Sequence, residues 1–258
     1  KAVRFIKPFW EQVKHSEYRE PFVGGGSVFI AKPPVETNWI NDIDKDLMSF
    51  YKIIYKKNTK EKLIKELLSL KISKELYEKL YFSKPQNVFY RAKKYYVVNR
   101  CSFSGIMVWK SFIGDVRYNI KTAQDLIRDI GNKLEKSLIT NNDFAEVIEA
   151  KPKNKGGVFL FLDPPYAESR QIVAYNHPFL KDDHIRLAGL LKNTKHSFLL
   201  TYDDCDFVRN LYKWAYLYKR TWTYSVANSR VHHNPRESGN ELFIYNFKLN
   251  NPESTKLL

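Results

Sequence analysis

The sequence predicts an α/β fold that carries a helical insertion, and three observations favour this. The apolar run Val158–Leu162 is short, continuous and β-prone, which is typical of a strand covered on both faces. Residues 18–44 read as a strand, a glycine turn, a helix and a second strand. Between residues 51 and 100, by contrast, the apolar residues fall at helical spacing.

The first strand-turn-helix unit has the order of a nucleotide-type site. Its segment YREPFVGGGSVFIAK, residues 18–32, contains three consecutive glycines. Such a turn lets a ligand approach the backbone closely, although glycine turns also serve tight packing alone. Asp42 follows Gly24 by 18 positions, close to the spacing of about 20 at which nucleoside-binding folds place a carboxylate on the ribose hydroxyls. Taken together, the turn and the carboxylate favour a bound nucleoside.

Positive charge is concentrated in the helical segment. The chain has 43 Lys and Arg against 28 Asp and Glu, a net charge of +15, and residues 51–110 hold 15 of the basic residues but only four Glu. Such an excess suggests a polyanionic partner, either nucleic acid or an anionic membrane surface. Interleaved tyrosines and phenylalanines suit base stacking, whereas the lysines alone are equally typical of a solvated helical face. Residues 111–120, SFIGDVRYNI, predict a hairpin because a Gly-Asp pair separates two β-prone arms.

The remaining chain returns to an α/β pattern. Strands are predicted near residues 138–144, 197–204, 220–226 and 240–247, the last two paired, and helices near 124–134, 182–192 and 205–214. Cys101 and Cys205 are too few and too far apart for a disulfide framework or a zinc site, and neither His232-His233 nor Asp203-Asp204 completes a metal site or a hydrolytic triad. The low cysteine count fits a reducing cytoplasm, where we expect the protein to be, and no stretch has the length and apolarity of a membrane span.

The residues after Val158–Leu162 suggest chemistry on an amine. Asp163, two prolines and Tyr166 fix a carboxylate, a carbonyl and a ring at the carboxyl end of a strand, where open α/β sheets bind ligands. An exocyclic amine of a nucleobase is a poor nucleophile because its lone pair is delocalised into the ring. If Asp163 and the Pro164 carbonyl accept its two N–H groups, the lone pair is aimed at an electrophile. Stacking of the base on Tyr166 requires that the base be flipped out of a duplex. The alternative is that Asp163 caps a helix and Tyr166 only packs.

The segments EPFVGGGSVF, INDID, NNDF and DPPY, in this order and spacing, resemble the Dam-like alpha class of amino-group DNA methyltransferases over nearly the whole chain. The resemblance implies a Rossmann-like fold and transfer of a methyl group from S-adenosylmethionine to adenine N6 in double-stranded DNA. It also implies a helical target-recognition insertion between the second and third segments. We therefore expect residues 1–50 and 121–258 to form the catalytic domain and residues 51–120 the DNA-binding insertion.

The resemblance also implies a role for individual residues, and no metal. The implied catalytic residues are Asp163, Pro164, Pro165 and Tyr166. The implied cofactor-binding residues are Glu20, Pro21, Phe22, Gly24 and Gly26 around the methionine part, Asp42 at the ribose, Ile43 beside the adenine ring, Asp143 and Phe144 at the adenine edge, and Asp163. Candidate DNA contacts are Asn99 and Arg100 in the segment YYVVNRCSFSG and, on charge alone, Arg91, Lys93, Lys94, Lys110 and Arg117.

Alternatives remain open at this stage. The same fold can act on cytosine N4 or on an amino group of RNA, although Asp as the first tetrad residue resembles the adenine branch more than the Asn or Ser variants do. A non-catalytic DNA-binding relative is the other alternative. We expect a monomer, with a cognate restriction endonuclease as a candidate partner. The family pattern includes an amino-terminal Gly-Gly-Lys segment that touches the cofactor. Because the chain opens KAVRFIKPFW, we expect that segment to lie upstream of the printed sequence.

Overall fold

A computed structural model describes residues 3–102, 111–115, 117–168, 178–223 and 238–249. Its centre is a seven-stranded sheet in the order β3-β2-β1-β4-β5-β7-β6. The strands are β1 Glu17–Glu20, β2 Thr37–Asn41, β3 Ser137–Thr140, β4 Val158–Leu162, β5 Ser197–Asp203, β6 Tyr216–Thr223 and β7 Ser238–Tyr245. Strands β1 to β5 pair in parallel, while β7 is antiparallel to both β5 and β6. The predicted α/β class and the pairing of the last two strands are therefore confirmed.

Helices cover both faces of the sheet. They are α1 Val3–Glu11, α2 Ser27–Ala31, α3 Lys45–Tyr55, α4 Lys57–Leu68, α5 Lys74–Phe82, α6 Val88–Cys101, α7 Ile120–Lys133, α8 Phe144–Glu149, α9 Lys181–Asn193 and α10 Asp206–Leu211. Strand β4 shows why both faces need cover: Phe159 and Phe161 belong to one apolar cluster, and Leu160 and Leu162 to the other. A strand buried on both sides is expected to be continuously apolar, as β4 is.

The helices of the helical segment pack against one another and against the flanking helices α3 and α7. Helix α3 begins at Lys45, before the expected boundary at residue 51, and lies against α6 and α7. At Gly131 of α7, an added Cβ would stand 2.4 Å from the Ile54 carbonyl oxygen, so only glycine lets α7 approach α3 this closely. The division of the chain at residues 50 and 120 stays a prediction.

The hairpin predicted over residues 111–120 stays a prediction, and the described residues of this stretch make other contacts. Phe112 makes an isolated antiparallel bridge with Ser102, a turn links Asp115 to Tyr118, and Ile120 already begins α7. The arm before the Gly-Asp pair contacts the end of α6, where the Ile113 N–H donates to the Cys101 carbonyl. Residues 103–110 and 116 lie outside the described residues.

Parallel pairing brings five strand ends to one edge of the sheet. Register pairs Glu20 of β1 with Ile40 of β2, and Leu162 of β4 with Leu200 of β5. The residues that follow these strands are therefore neighbours in space, although they are far apart in the sequence. This edge carries every catalytic and cofactor-binding residue that the sequence predicts.

Candidate active site

The glycine bend after β1 is fixed by polar contacts and has an open side. Gly24 and Gly26 have φ values of 46° and 67°, in the left-handed region that favours glycine. The Gly24 N–H donates to Asp42 Oδ2 at 3.0 Å, and the buried Tyr51 hydroxyl donates to the Gly24 carbonyl at 2.9 Å. A Cβ on Gly26 would lie 2.6 Å from that hydroxyl, whereas one on Gly24 would meet nothing within 4 Å. The bend is thus packed on one side and open to a ligand on the other.

Glu20 places a buried carboxyl group just before this bend. It is 2% exposed, and the Tyr18 hydroxyl donates to its Oε2 at 2.9 Å. The pKa of Glu20 is raised to about 8: burial raises it most, the Tyr18 hydrogen bond lowers it, and the nearby carboxylates Asp163 and Asp42 raise it. Strand β1 pairs in parallel with β4, so the carboxyl ends of these two strands lie close together. A cationic ligand at this place would favour ionisation of Glu20.

The ends of β2 and β3 are joined by asparagine side chains. Asn41 is fully buried and donates to the carbonyls of Pro21 and Asn142, while its own Oδ1 accepts the N–H of Asn142. Asn141 donates to the carbonyls of Asp42 and Ile43. These bonds hold the Asp42 turn beside the glycine bend. They leave the side chain of Ile43 49% exposed at the same edge.

An aromatic wall lies beside Asp143. The rings of Phe22, Phe144 and Phe179 have centroids 5.4 to 5.6 Å apart. Asp143 caps α8 through the Ala145 N–H and receives two hydrogen bonds from Arg186, at 2.9 and 2.8 Å. Partial burial acts to raise the pKa of Asp143, but Arg186 and the Ala145 N–H outweigh burial and leave this pKa below its usual value. The result is an apolar surface with an ionised carboxylate at its rim, which suits a planar ring that bears an amino group.

The loop after β4 is held by side chains of β5 and β7. Thr201 donates to Asp163 Oδ1 at 2.7 Å, and the Tyr166 hydroxyl donates to Glu241 Oε1 at 2.9 Å. Asp203 accepts the N–H groups of Ala167 and Glu168 at 2.8 and 2.7 Å. Part of the Asp163 side chain is exposed, but protein surrounds the carboxylate closely. The resulting desolvation raises the pKa of Asp163, and the hydrogen bond from Thr201 lowers it. Asp163 is therefore not a helix cap, because it precedes an irregular loop rather than a helix.

The structure gives most of the candidate DNA contacts partners within the protein. Arg91 is buried, pairs with Asp46 and donates to the Pro85 carbonyl. Lys94 also pairs with Asp46, and Lys93 pairs with Glu66. Contacts of these three residues with DNA stay predictions, but their observed partners indicate that they hold α6 in place.

The candidates nearer the end of α6 also make internal bonds. Arg100 donates to the carbonyl of Arg117, which in turn donates to the carbonyl of Ser102. Asn99 is half-buried with a partner of its own, and Lys110 lies outside the described residues. Contacts of these four residues with DNA also stay predictions.

Several residues of the site were missed at the level of sequence. Asn41 and Asn141 stand inside the quoted segments INDID and NNDF, where a polar residue at a strand end was the available signal. Thr201 and Glu241 gave no signal of their own in the sequence. Thr201 contacts a residue 38 positions away, and Glu241 contacts one 75 positions away. Within the described ranges, no group of three or more His, Cys, Asp or Glu is placed to hold a metal ion. The helices of those ranges include none with the length and apolarity to cross a membrane.

The comparison with known families shows which class of enzyme the chain belongs to. A family model for the D12 class of N6 adenine-specific DNA methyltransferases matches residues 1–226. The chain belongs to this family. The Type II methyltransferase M.CviBI of Paramecium bursaria Chlorella virus NC1A is 27% identical over 226 residues, which are 84% of this chain and 85% of that protein. The Type II methyltransferase M.MjaIII of Methanocaldococcus jannaschii is 30% identical over 229 residues, 76% of this chain and 77% of the relative. A DNA adenine methylase of Vibrio cholerae serotype O1 is 24% identical over 221 residues, 78% of this chain and 77% of that enzyme.

As a D12 class enzyme, the protein is an adenine-specific DNA methyltransferase, and its sheet is the Rossmann-like methyltransferase sheet. The predicted family, fold and enzyme class are confirmed. The family implies S-adenosylmethionine as methyl donor, and the edge fits this cofactor. It offers an open glycine bend, a carboxylate after β2, an apolar aromatic surface and the buried carboxyl of Glu20.

Proposed function

We propose that this protein methylates the N6 amino group of an adenine flipped out of double-stranded DNA, at a specific sequence, in the pocket that contains Asp163, Pro164, Pro165 and Tyr166. The observation that carries the proposal is the position of Asp163. It follows β4 directly, β4 pairs with β1, and the Asp163 carboxylate acts on Glu20 beside the glycine bend. A methyl acceptor at Asp163 and a methyl donor at the bend therefore share one edge of the sheet.

Each residue of the pocket has a definite part in the proposed reaction. The Asp163 carboxylate accepts one N–H of N6 and the Pro164 carbonyl accepts the other, which directs the nitrogen lone pair out of the purine plane. Tyr166 stacks on the base, and Pro165 fixes the turn between carbonyl and ring. The bound cofactor supplies a methyl group on a positively charged sulfur. As the new N–C bond forms, the C–S electron pair stays on sulfur, and N6 then releases a proton.

The cofactor is proposed to lie along the carboxyl edge of β1 to β4. Glu20, Pro21, Phe22, Gly24 and Gly26 surround its methionine part. Asp42 binds the ribose hydroxyls, and Ile43 lies against the adenine ring. Asp143 and Phe144 receive the adenine edge, beside the aromatic wall already described. The open side of Gly24 supports this placement, because it leaves space for the cofactor to approach the backbone closely.

The test is the variant Asp163→Ala, with Asp129→Ala on the exposed surface of α7 as matched control. We expect Asp163→Ala to lower transfer of labelled methyl to duplex DNA by about a hundredfold or more. We also expect it to bind the cofactor nearly as the wild type does, measured by calorimetry. Nucleoside analysis of the digested DNA is expected to show N6-methyladenine. Wild-type transfer by Asp163→Ala would refute the assigned role, and N4-methylcytosine, or methylation of RNA alone, would refute the acceptor.

A further inference from the structure

Thr201 of β5 makes a directed contact with the proposed catalytic carboxylate. Its side chain is 3% exposed, and its hydroxyl lies 2.7 Å from Asp163 Oδ1 and 3.2 Å from the Leu162 carbonyl oxygen. A hydroxyl has one hydrogen to donate, and the shorter contact with a charged acceptor is the stronger of the two. The hydrogen bond therefore goes mainly to Asp163.

The sheet register puts Thr201 in this position. Leu162 of β4 pairs with Leu200 of β5, so the next residues, Asp163 and Thr201, stand side by side one step further along. A threonine suits this buried position because its branched side chain packs well in a strand. In that setting, a valine would fill nearly the same volume but would donate no hydrogen bond.

We propose that Thr201 is a positioning residue for methyl transfer, which holds Asp163 by Oδ1 and leaves Oδ2 to accept the substrate amino group. This inference rests on the proposed function of Asp163. Rotation of a carboxylate about its last torsion is broad and weakly restrained, so the direction of its lone pairs needs an external bond. Thr201 supplies that bond from a rigid central strand instead of from a loop.

The rest of the loop has separate anchors, so the effect of Thr201 is local. Asp203 shares a face of β5 with Thr201 and accepts the N–H groups of Ala167 and Glu168. On the neighbouring strand β7, Glu241 pairs with Asp203 and holds Tyr166. Loss of the Thr201 hydroxyl therefore leaves the loop attached and frees only the Asp163 carboxylate.

Removal of the Thr201 hydroxyl is expected to shift the pKa of Asp163 in a direction that can be measured. The hydrogen bond from Thr201 lowers the pKa of Asp163 against the effect of burial. Glu20 from β1 is the neighbouring titratable group that interacts with Asp163, and its pKa of about 8 leaves it mostly protonated at neutral pH. The pKa of Asp163 is therefore expected to rise when Thr201 is replaced by valine.

The experiment compares Thr201→Val and Thr201→Ser with the wild type, and Thr37→Val serves as control. Thr37 lies at the opposite end of β2, where its hydroxyl contacts Asn154 at 2.9 Å. We expect Thr201→Val to lower kcat for labelled methyl transfer to duplex DNA by about tenfold to a hundredfold. The acid limb of its pH profile is expected to move to higher pH, with cofactor affinity unchanged by calorimetry. Thr201→Ser is expected to restore both kcat and the profile.

The outcomes separate the inference from the function on which it rests. If the wild type is active and Thr201→Val keeps both the wild-type kcat and the wild-type pH profile, the proposed function stands but the role of Thr201 is refuted. A Thr201→Ser variant as impaired as Thr201→Val, with activity lost in step with thermal stability, also overturns it in favour of packing. A wild type that binds the cofactor but transfers no methyl group to DNA overturns the proposed function itself.

Discussion

Ionisation of Glu20 is expected to make cofactor binding depend on pH. The carboxyl is 2% exposed, and burial raises its pKa to about 8 in the free protein. If the proposed cofactor places a cationic sulfur and amino group nearby, the bound state favours the carboxylate and lowers this pKa. Linkage gives the direction of the pH dependence. Affinity for the cofactor is highest above the pKa of Glu20 in the free protein and falls as the pH drops below that pKa.

The size of the effect follows from the free-protein value. With a pKa of about 8, the group holds roughly 0.9 proton at pH 7, and binding releases most of it. The dissociation constant is expected to rise about 25-fold between pH 8.5 and pH 6.5 if the bound-state pKa lies below this range. Glu20→Gln cannot ionise and is expected to lose this part of the dependence, with affinity lower than that of the wild type at pH 8.5.

Calorimetry in buffers of different ionisation enthalpy measures the released proton directly. Because an α-amino group also titrates, with a pKa of about 7.7 to 8.0, the quantity of interest is the difference between wild type and Glu20→Gln. S-adenosylhomocysteine provides a second comparison, since it lacks the sulfonium charge and is expected to release fewer protons. Equal proton release by wild type and variant would show that Glu20 does not face the cationic part of the cofactor.

Three further changes probe the support of the site. Arg186→Gln is expected to weaken cofactor binding by no more than about fivefold, because the Arg186–Asp143 pair is 43% and 38% exposed and exposed pairs contribute little; a larger loss in calorimetry would mean that Arg186 touches the cofactor. Glu241→Ala is expected to lower methyl transfer by about tenfold, because it removes the acceptor of the Tyr166 hydroxyl. Tyr166→Phe removes the same hydrogen bond and is expected to cause the same loss. Glu241→Gln keeps an acceptor and is expected to stay near the wild-type rate. Arg19→Met is expected to lower the free energy of unfolding in urea by about 3 to 5 kcal/mol, because the ion pair with Glu17 is fully buried. A recovery of stability in the Arg19→Met, Glu17→Gln double variant would attribute that loss to the stranded charge, and no recovery would contradict it.

Strands and their ends were predictable from local pattern. Strand β4 was predicted with its observed bounds, because a continuous apolar run ends where two prolines remove hydrogen-bond donors. Once the strands are parallel, their carboxyl ends must meet at one edge, so the glycine bend, Asp42, Asp143 and Asp163 were expected together. The relevant information lies within a few residues of each motif.

Contacts that depend on pairing over a distance were not predictable in this way. The 111–120 segment has the local signals of a hairpin, but Phe112 finds its backbone partner at Ser102, outside the predicted hairpin. Thr201 reads in sequence as an ordinary strand residue, and only the register of β4 against β5 places it beside Asp163. Glu241 likewise reaches Tyr166 because β7 inserts between β5 and β6.

Some of the basic residues counted in the sequence already have acidic partners inside the protein. Residues 51–110 hold 15 basic residues, yet Arg91 and Lys94 pair with Asp46 of α3, and Lys93 pairs with Glu66 of α4. The side chains of these three residues are 10%, 15% and 20% exposed, so they neutralise acidic groups inside the helical layer. Each phosphate contact lowers the logarithm of DNA affinity by about 0.9 per tenfold rise in salt. The salt dependence of DNA binding should therefore reflect the exposed lysines of this layer, and its slope should fall well short of that expected from all 15 charges.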